Sequence, residues 1–431
     1  MLKKLQDLLS RCEYMIEVMW KQGELIYTDA SNFHMPRVPT YHQGGRLIIT
    51  DGNYEGNASF DSISNFSIAL EEAKRKLSSR QFITTAIFND RMSRKKIEDN
   101  YLPEPIPDVD TTSKLDELSD YLRCISDGLL VLNSTIDSSQ FYYINSRGGE
   151  YVRKEYYSSI IMELIDSKRF DSINSISASS LAHHIDRIRP ELVSLITRRE
   201  RISKTIQAGE YPVLFSNSAS GIFAHEVVGH MFEADTSTAQ RLKSRTGEQV
   251  GPSFLSIGDH PIYSSDDEGV PTSETWMIRE GRIEQLLHSR ETARIYGGVS
   301  NGHGKAIYGW LKAIPRMNRT VIQKGEASRT ELRSVFNRYI FVKKIDNAHS
   351  YLGSFVLHVG NAELMENGES ICQLGKIIIR GDCMEALRNI LLVGDQIKEH
   401  FFTCAKRGQN GLKVSSVSPE ILVKSLWIGA S

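Results

Sequence analysis

The segment 221–235 reads Gly-Ile-Phe-Ala-His-Glu-Val-Val-Gly-His-Met-Phe-Glu-Ala-Asp, and it restricts folding more tightly than any other part of the chain. Its composition specifies a helix, with Ser220 as a plausible N-cap, yet His225 and His230 stand five positions apart. Five steps on a regular α-helix turn by roughly 140°, so the two imidazoles would point apart. A spacing of four would leave them about 40° apart and able to share one metal ion. Either the helix is distorted between them, or these are two unrelated histidines beside a surface glutamate. Gly229 precedes the second histidine. Glycine tolerates distortion, and a π-bulge would absorb the extra residue.

The remaining sequence bounds the setting. A length of 431 residues gives an expectation of two or three domains. Lys and Arg total 52 against 53 Asp and Glu, a formal charge of −1, so no basic excess points to nucleic acid. The run Arg-Met-Ser-Arg-Lys-Lys at 91–96 reads as a solvated connection. The 5 cysteines are scattered and odd in number, which argues against a disulfide framework and for the cytoplasm. No signal-peptide pattern opens the chain, and no apolar run is long enough for a membrane span.

The periodicities predict a helix over 2–20, strands near 24–28 and 46–50, and a helix over 67–77. They also predict a proline-rich connection over 97–112 and a helix over 113–126. Alternating stretches follow at 129–132 and 140–145, with a hairpin turn at Arg147-Gly-Gly149. A long polar helix is expected at 191–207, then a buried strand at 211–215. The fold expectation is therefore α+β in two domains. Residues 1–205 form a mixed α/β-sheet domain, and 206–431 form a mostly antiparallel β domain wrapped around the two-histidine helix.

Several segments in order carry a resemblance. After His225-Glu226-x-x-x-His230 come Glu233-Ala-Asp235, Asp266-Asp-Glu-Gly269, Met277-Ile-Arg-Glu-Gly-Arg282, Asn301-Gly-His-Gly304, Pro315-Arg-Met-Asn318 and Thr403-Cys-Ala-Lys-Arg-Gly-Gln409. Together they resemble the TldD branch of the TldD/PmbA metallopeptidases. The likeness is dense over 210–431. Over 1–205 it rests on Asn145-Ser-Arg-Gly-Gly-Glu-Tyr151. Ala405 departs from the glycine usual there.

The resemblance implies Zn2+ held by His225, His230 and Cys404, with Glu226 as catalytic base. Three protein ligands suit a catalytic zinc, and a thiolate favours zinc over magnesium or calcium. Glu233 and Asp235 are candidates for orienting the imidazoles. His303 and Lys305 are candidates for stabilising an oxyanion. Cys372 and Cys383 lie among apolar residues and read as core. The resemblance further implies short or unfolded peptides bound as extended strands inside a two-subunit chamber. That chamber is a homodimer or a heterodimer with a PmbA/TldE-type subunit. Two other readings are a non-hydrolytic partner that sequesters peptides or regulates another protein, and a hydrolase of non-peptide amides.

Overall fold

The computed structural model describes residues 2–9, 14–29, 38–51, 54–79, 96–101, 108–124, 129–166, 169–197 and 203–430. Cys12, the basic residues at 91–95 and the prolines at 103, 105 and 107 lie outside them.

In the N-terminal half, long strands Met15–Asp29, Leu129–Asn145 and Glu150–Asp166 pair antiparallel. Alternation drives this arrangement. Ile16, Val18 and Trp20 point to one face and are fully buried, together with Leu47 and Ile49 of the strand Val38–Thr50. The helix Phe66–Ser78 covers that face with Phe66, Ala69, Ala73 and Leu77, which recur every three to four residues.

The expected helix over 2–20 is therefore corrected. Only Leu2–Leu9 is helical, and Met15 onward is strand. Residues 129–132 and 140–145 belong to one strand rather than two stretches, and Ser146 to Gly148 form the turn that follows. The proposed connection at 97–112 holds a strand, Lys96–Tyr101, parallel to Glu150–Asp166, and the start of the helix Asp108–Cys124. The helix expected at 191–207 lies earlier, at Leu181–Thr197, where Leu181, Ile185, Ile188 and Leu192 face the core. Ser203–Lys204 is a short strand.

In the C-terminal half a second sheet closes on itself. Arg338–Tyr351 pairs with Gly209–Phe215, which pairs with Ile421–Ala430, then Ile377–Asp382, then Ser354–Glu366, which returns to Arg338–Tyr351. The histidine-bearing helix lies between this ring and the hairpin Lys398–Lys406/Gln409–Ser418. Its Phe223 stacks on Phe215 at 4.9 Å and meets Phe355 edge-on at 5.8 Å. Each such ring, fully buried, contributes roughly 2–3 kcal/mol.

Among the described residues the two halves share one 13-stranded sheet. It passes from the hairpin strand Lys398–Lys406 to Arg169–Ser177 through a single residue pair, Phe401 and Ile176. Both strands line a cleft. Among the described residues no helix is long and apolar enough to cross a membrane.

Candidate metal centre

The local chain explains how the two histidines meet. The helix Asn217–Ala224 begins at Ser216, not Ser220 as expected: the Ser216 hydroxyl accepts from the Ala219 N–H at 3.3 Å. Ser220 lies inside the helix, and its hydroxyl donates to the Asn217 and Pro419 carbonyls. At His225–Gly229 the helix widens to one π turn, in which the His230 N–H donates to the His225 carbonyl. The extra residue is absorbed there, and the His225 and His230 rings come to 4.9 Å between centroids. Gly229 lets Met317 sit against the bulge: a Cβ at this position would lie 1.8 Å from the Met317 sulfur.

Cys404 completes the group from 174 positions away, with its Sγ 3.4 Å from His230 Nε2. It lies on a strand, not in the polar loop its neighbours suggest. The tight turn at Arg407 and Gly408, both at positive φ, follows immediately. One donor atom from each of His225, His230 and Cys404 lies within 4.8 Å of the other two.

The hydrogen bonds on the far side of each ring turn these donor atoms toward one another. Thr320 gives its hydroxyl proton to Met317 Sδ at 3.6 Å, so its oxygen accepts from His225 Nδ1–H at 3.2 Å. His225 Nε2 is then a buried lone pair without a hydrogen-bond partner. His230 Nδ1–H donates to Glu233 at 2.8 Å, which turns Nε2 toward the sulfur. Burial alone would raise the Cys404 thiol pKa, but the adjacent His225 and His230 hold it well below the ordinary value. Cys383, buried without such neighbours, is pushed up to about 12. Burial would lower the His230 pKa, yet Glu233 and Cys404 raise it well above the ordinary value. Glu233 is fully buried, but His230, Lys406 and Arg316 bring its pKa down to about 2, so it is an anion at neutral pH. A soft thiolate, two imidazole nitrogens and a carboxylate behind one ring fit zinc.

Glu226 stands at the cleft edge of the cluster. Its Oε1 lies 3.8 Å from His230 Nε2, and its Oε2 accepts from Ser350 Oγ at 3.2 Å. The cleft, about 1660 Å3 in volume, is lined by Glu226, His230 and Cys404 together with parts of the strands Arg169–Ser177, Arg338–Tyr351 and Lys398–Lys406.

The other candidates separate. Glu233 does hold an imidazole. Asp235 does not: it binds Lys406 Nζ at 2.5 Å and Arg407 Nη1 at 3.2 Å, clamping the turn beyond Cys404. His303 is buried on Asp259 and Asn301, and Lys305 lines a separate cavity, so neither faces the cleft. Thr320, Ser350 and Met317 were missed as site residues. Met317 stands in the Pro-Arg-Met segment already singled out, which was a usable signal. Nothing local marks Thr320 or Ser350.

Gly229→Ala is expected to cost about 1–3 kcal/mol by overpacking and to weaken metal retention, because Met317 must leave Thr320. Chemical denaturation and zinc analysis check this. A variant matching the parent in both would show that the bulge has no need of glycine.

The family model for the PmbA/TldA metallopeptidase C-terminal domain matches residues 208–430. The zinc metalloprotease TldD homolog of Saccharolobus solfataricus is 27% identical over 385 residues, covering 79% of this chain and 86% of that one. A metalloprotease of Archaeoglobus fulgidus is 30% identical over 259 residues, 58% of each chain. Among solved structures, a candidate modulator of a DNA gyrase from Thermotoga maritima superimposes with a TM-score of 0.76 at 21% identity over 100% of both chains. TldE from Thermococcus kodakarensis does so with 0.72 at 17% identity, over 100% of this chain and 99% of that one. At these identities the structural likeness bears on the fold alone. From the match over 208–430, the chain belongs to the PmbA/TldA metallopeptidase family.

Proposed function

We propose that this chain is a zinc-dependent peptidase acting on short or unfolded peptides, with His225, His230 and Cys404 as metal ligands and Glu226 as general base. One observation carries the reading: two imidazoles and a thiol converge beside a large cleft that His230 and Cys404 line, next to a carboxylate that is not among the three donors. The same reading assigns residues 1–205 and 206–431 to two domains.

Zinc held there supplies Lewis-acid polarisation of a carbonyl and a lowered pKa for water. Glu226 takes the proton from the attacking water and returns it to the leaving amine. Ser350 holds the carboxylate in place through Oε2, which leaves Oε1 on the metal side. Glu233 accepts from His230 Nδ1–H, so Nε2 is the nitrogen that would face a metal once its proton is displaced. Lys406 bridges Glu233 and Asp235, tying the Cys404 strand to the end of the histidine helix.

The cleft favours an extended substrate. Arg169–Ser177 is fully paired to Glu150–Asp166 on one side, but among the described residues only Ile176 is paired on the other. An unpaired strand edge recognises a peptide through its backbone, with little side-chain selectivity. The second subunit, whether another copy or a TldE-type chain, belongs to this proposal.

The test is digestion of an unstructured peptide, read by mass spectrometry. Cleavage is expected with the purified protein, to stop with chelator and to return with zinc. Binding without cleavage in the zinc-loaded protein would favour the non-hydrolytic reading.

A further inference from the structure

Five charged side chains form an alternating chain beside a second cavity, of about 210 Å3. Lys21 Nζ lies 3.1 Å from Glu155 Oε2, and Glu155 Oε1 lies 2.6 Å from Arg153 Nε. Arg153 Nη2 lies 2.7 Å from Asp267 Oδ1, and that same oxygen is the nearest carboxylate to Lys305 Nζ, at 3.9 Å. The chain begins and ends on a cation, so three positive charges face two negative ones. The other charged pair at this cavity, Lys413 and Asp137 at 3.5 Å, is neutral overall. Asp266, next in sequence, is taken up by the backbone N–H groups of Glu268, Val270 and Gly304.

The excess charge is buried. Arg153 is 2% exposed and sandwiched between the Phe141 and Tyr263 rings, at 4.7 and 4.5 Å. The Lys305 side chain is 7% exposed and lies over the Tyr263 ring at 5.2 Å; among the described residues it makes no hydrogen bond, and the oxygen nearest to it is already held by Arg153. A buried ammonium whose nearest carboxylate oxygen is shared with another cation is costly unless a further partner is supplied or the proton is lost. Burial indeed pushes the Lys305 pKa down, against the pull of Asp267.

We propose that this cavity is a binding site for one small anion, an oxyanion of phosphate type or a free carboxylate, held by Lys305 at the end of the Lys21–Glu155–Arg153–Asp267 chain. The cavity is large enough for such a group and several waters. Gly411, Leu412 and Lys413 form part of its wall, and Leu412 pairs in register with Cys404. An anion here would brace the strand behind the metal cluster. The site is independent of the peptidase reading.

The test is thermal unfolding of the full chain titrated with potassium phosphate, and separately with potassium acetate, at ionic strength held constant with potassium chloride. A saturable rise in midpoint of about 3 °C is expected with at least one of the two. A rise with phosphate alone identifies an oxyanion site, and a rise with acetate a carboxylate site. Lys305→Gln should lose the response and Lys305→Arg should keep it. Should Lys305→Gln fail to fold, Lys21→Gln removes the same unit of charge from the other end and should weaken apparent affinity at least about tenfold. The proposal is overturned if neither anion gives a rise beyond chloride, as a neutral lysine in a water-filled cavity would produce. It is equally overturned if the glutamine variants respond like the parent.

Discussion

Glu226→Gln is expected to abolish peptide cleavage, by a factor on the order of 10²–10⁴, while zinc content stays at the parent level. Glutamine keeps the length and the acceptor oxygen, so Ser350 can still donate to it. What is lost is the ability to take a proton. Glu226 lies outside the donor group of His225, His230 and Cys404, so metal content has no reason to change. Proteolysis rates and elemental analysis on the same preparation separate the two effects. Retention of full activity would remove Glu226 from the mechanism. Parallel loss of zinc would recast it as a ligand.

Cys404→Ala is the second large effect expected: zinc binding weakened by about 10³-fold or more, with loss of activity. The scale comes from comparison. Removing a group that only orients a metal ligand costs roughly 10–100-fold in affinity, so removing a donor costs more. The change should leave the fold intact, since the lost sulfur is small and its strand is paired along nearly its whole length to Gln409–Ser418. Competitive titration against a chromophoric chelator measures the affinity, and circular dichroism checks the fold. A folded Cys404→Ala protein with parental zinc affinity would mean that the sulfur is a bystander.

How far this site was legible depended on the range of the interactions. The five-residue spacing and Gly229 are local; they left a distorted helix or two unrelated histidines open, and the helix contains the π turn. Cys404 acts across 174 positions and was legible only through the resemblance; Ser350 acts across 124 and was not legible at all. Thr320 sits on a short strand, Arg319–Ile322, with no pattern of its own. Its role exists only because Met317 takes its proton.

In the fold, the misreadings share a cause. Leu5, Leu9, Met15, Ile16 and Met19 fit helical spacing, but Ile16, Val18 and Trp20 also alternate. Pairing with Val38–Thr50 and burial under the helix Phe66–Ser78 decide for strand. Lys96–Tyr101 has no clear alternation and stands before three prolines, so its parallel pairing with Glu150–Asp166 could not be read locally.

The central claim is that one π turn brings His225 and His230 to the same zinc ion as the Cys404 thiolate. X-ray absorption at the zinc edge on the purified protein tests it most directly. The expected spectrum corresponds to one zinc per chain with two nitrogen neighbours at about 2.0–2.1 Å and one sulfur at about 2.3 Å, the sulfur shell vanishing in Cys404→Ala. A folded protein with no zinc, or bound zinc without a sulfur neighbour, would contradict it.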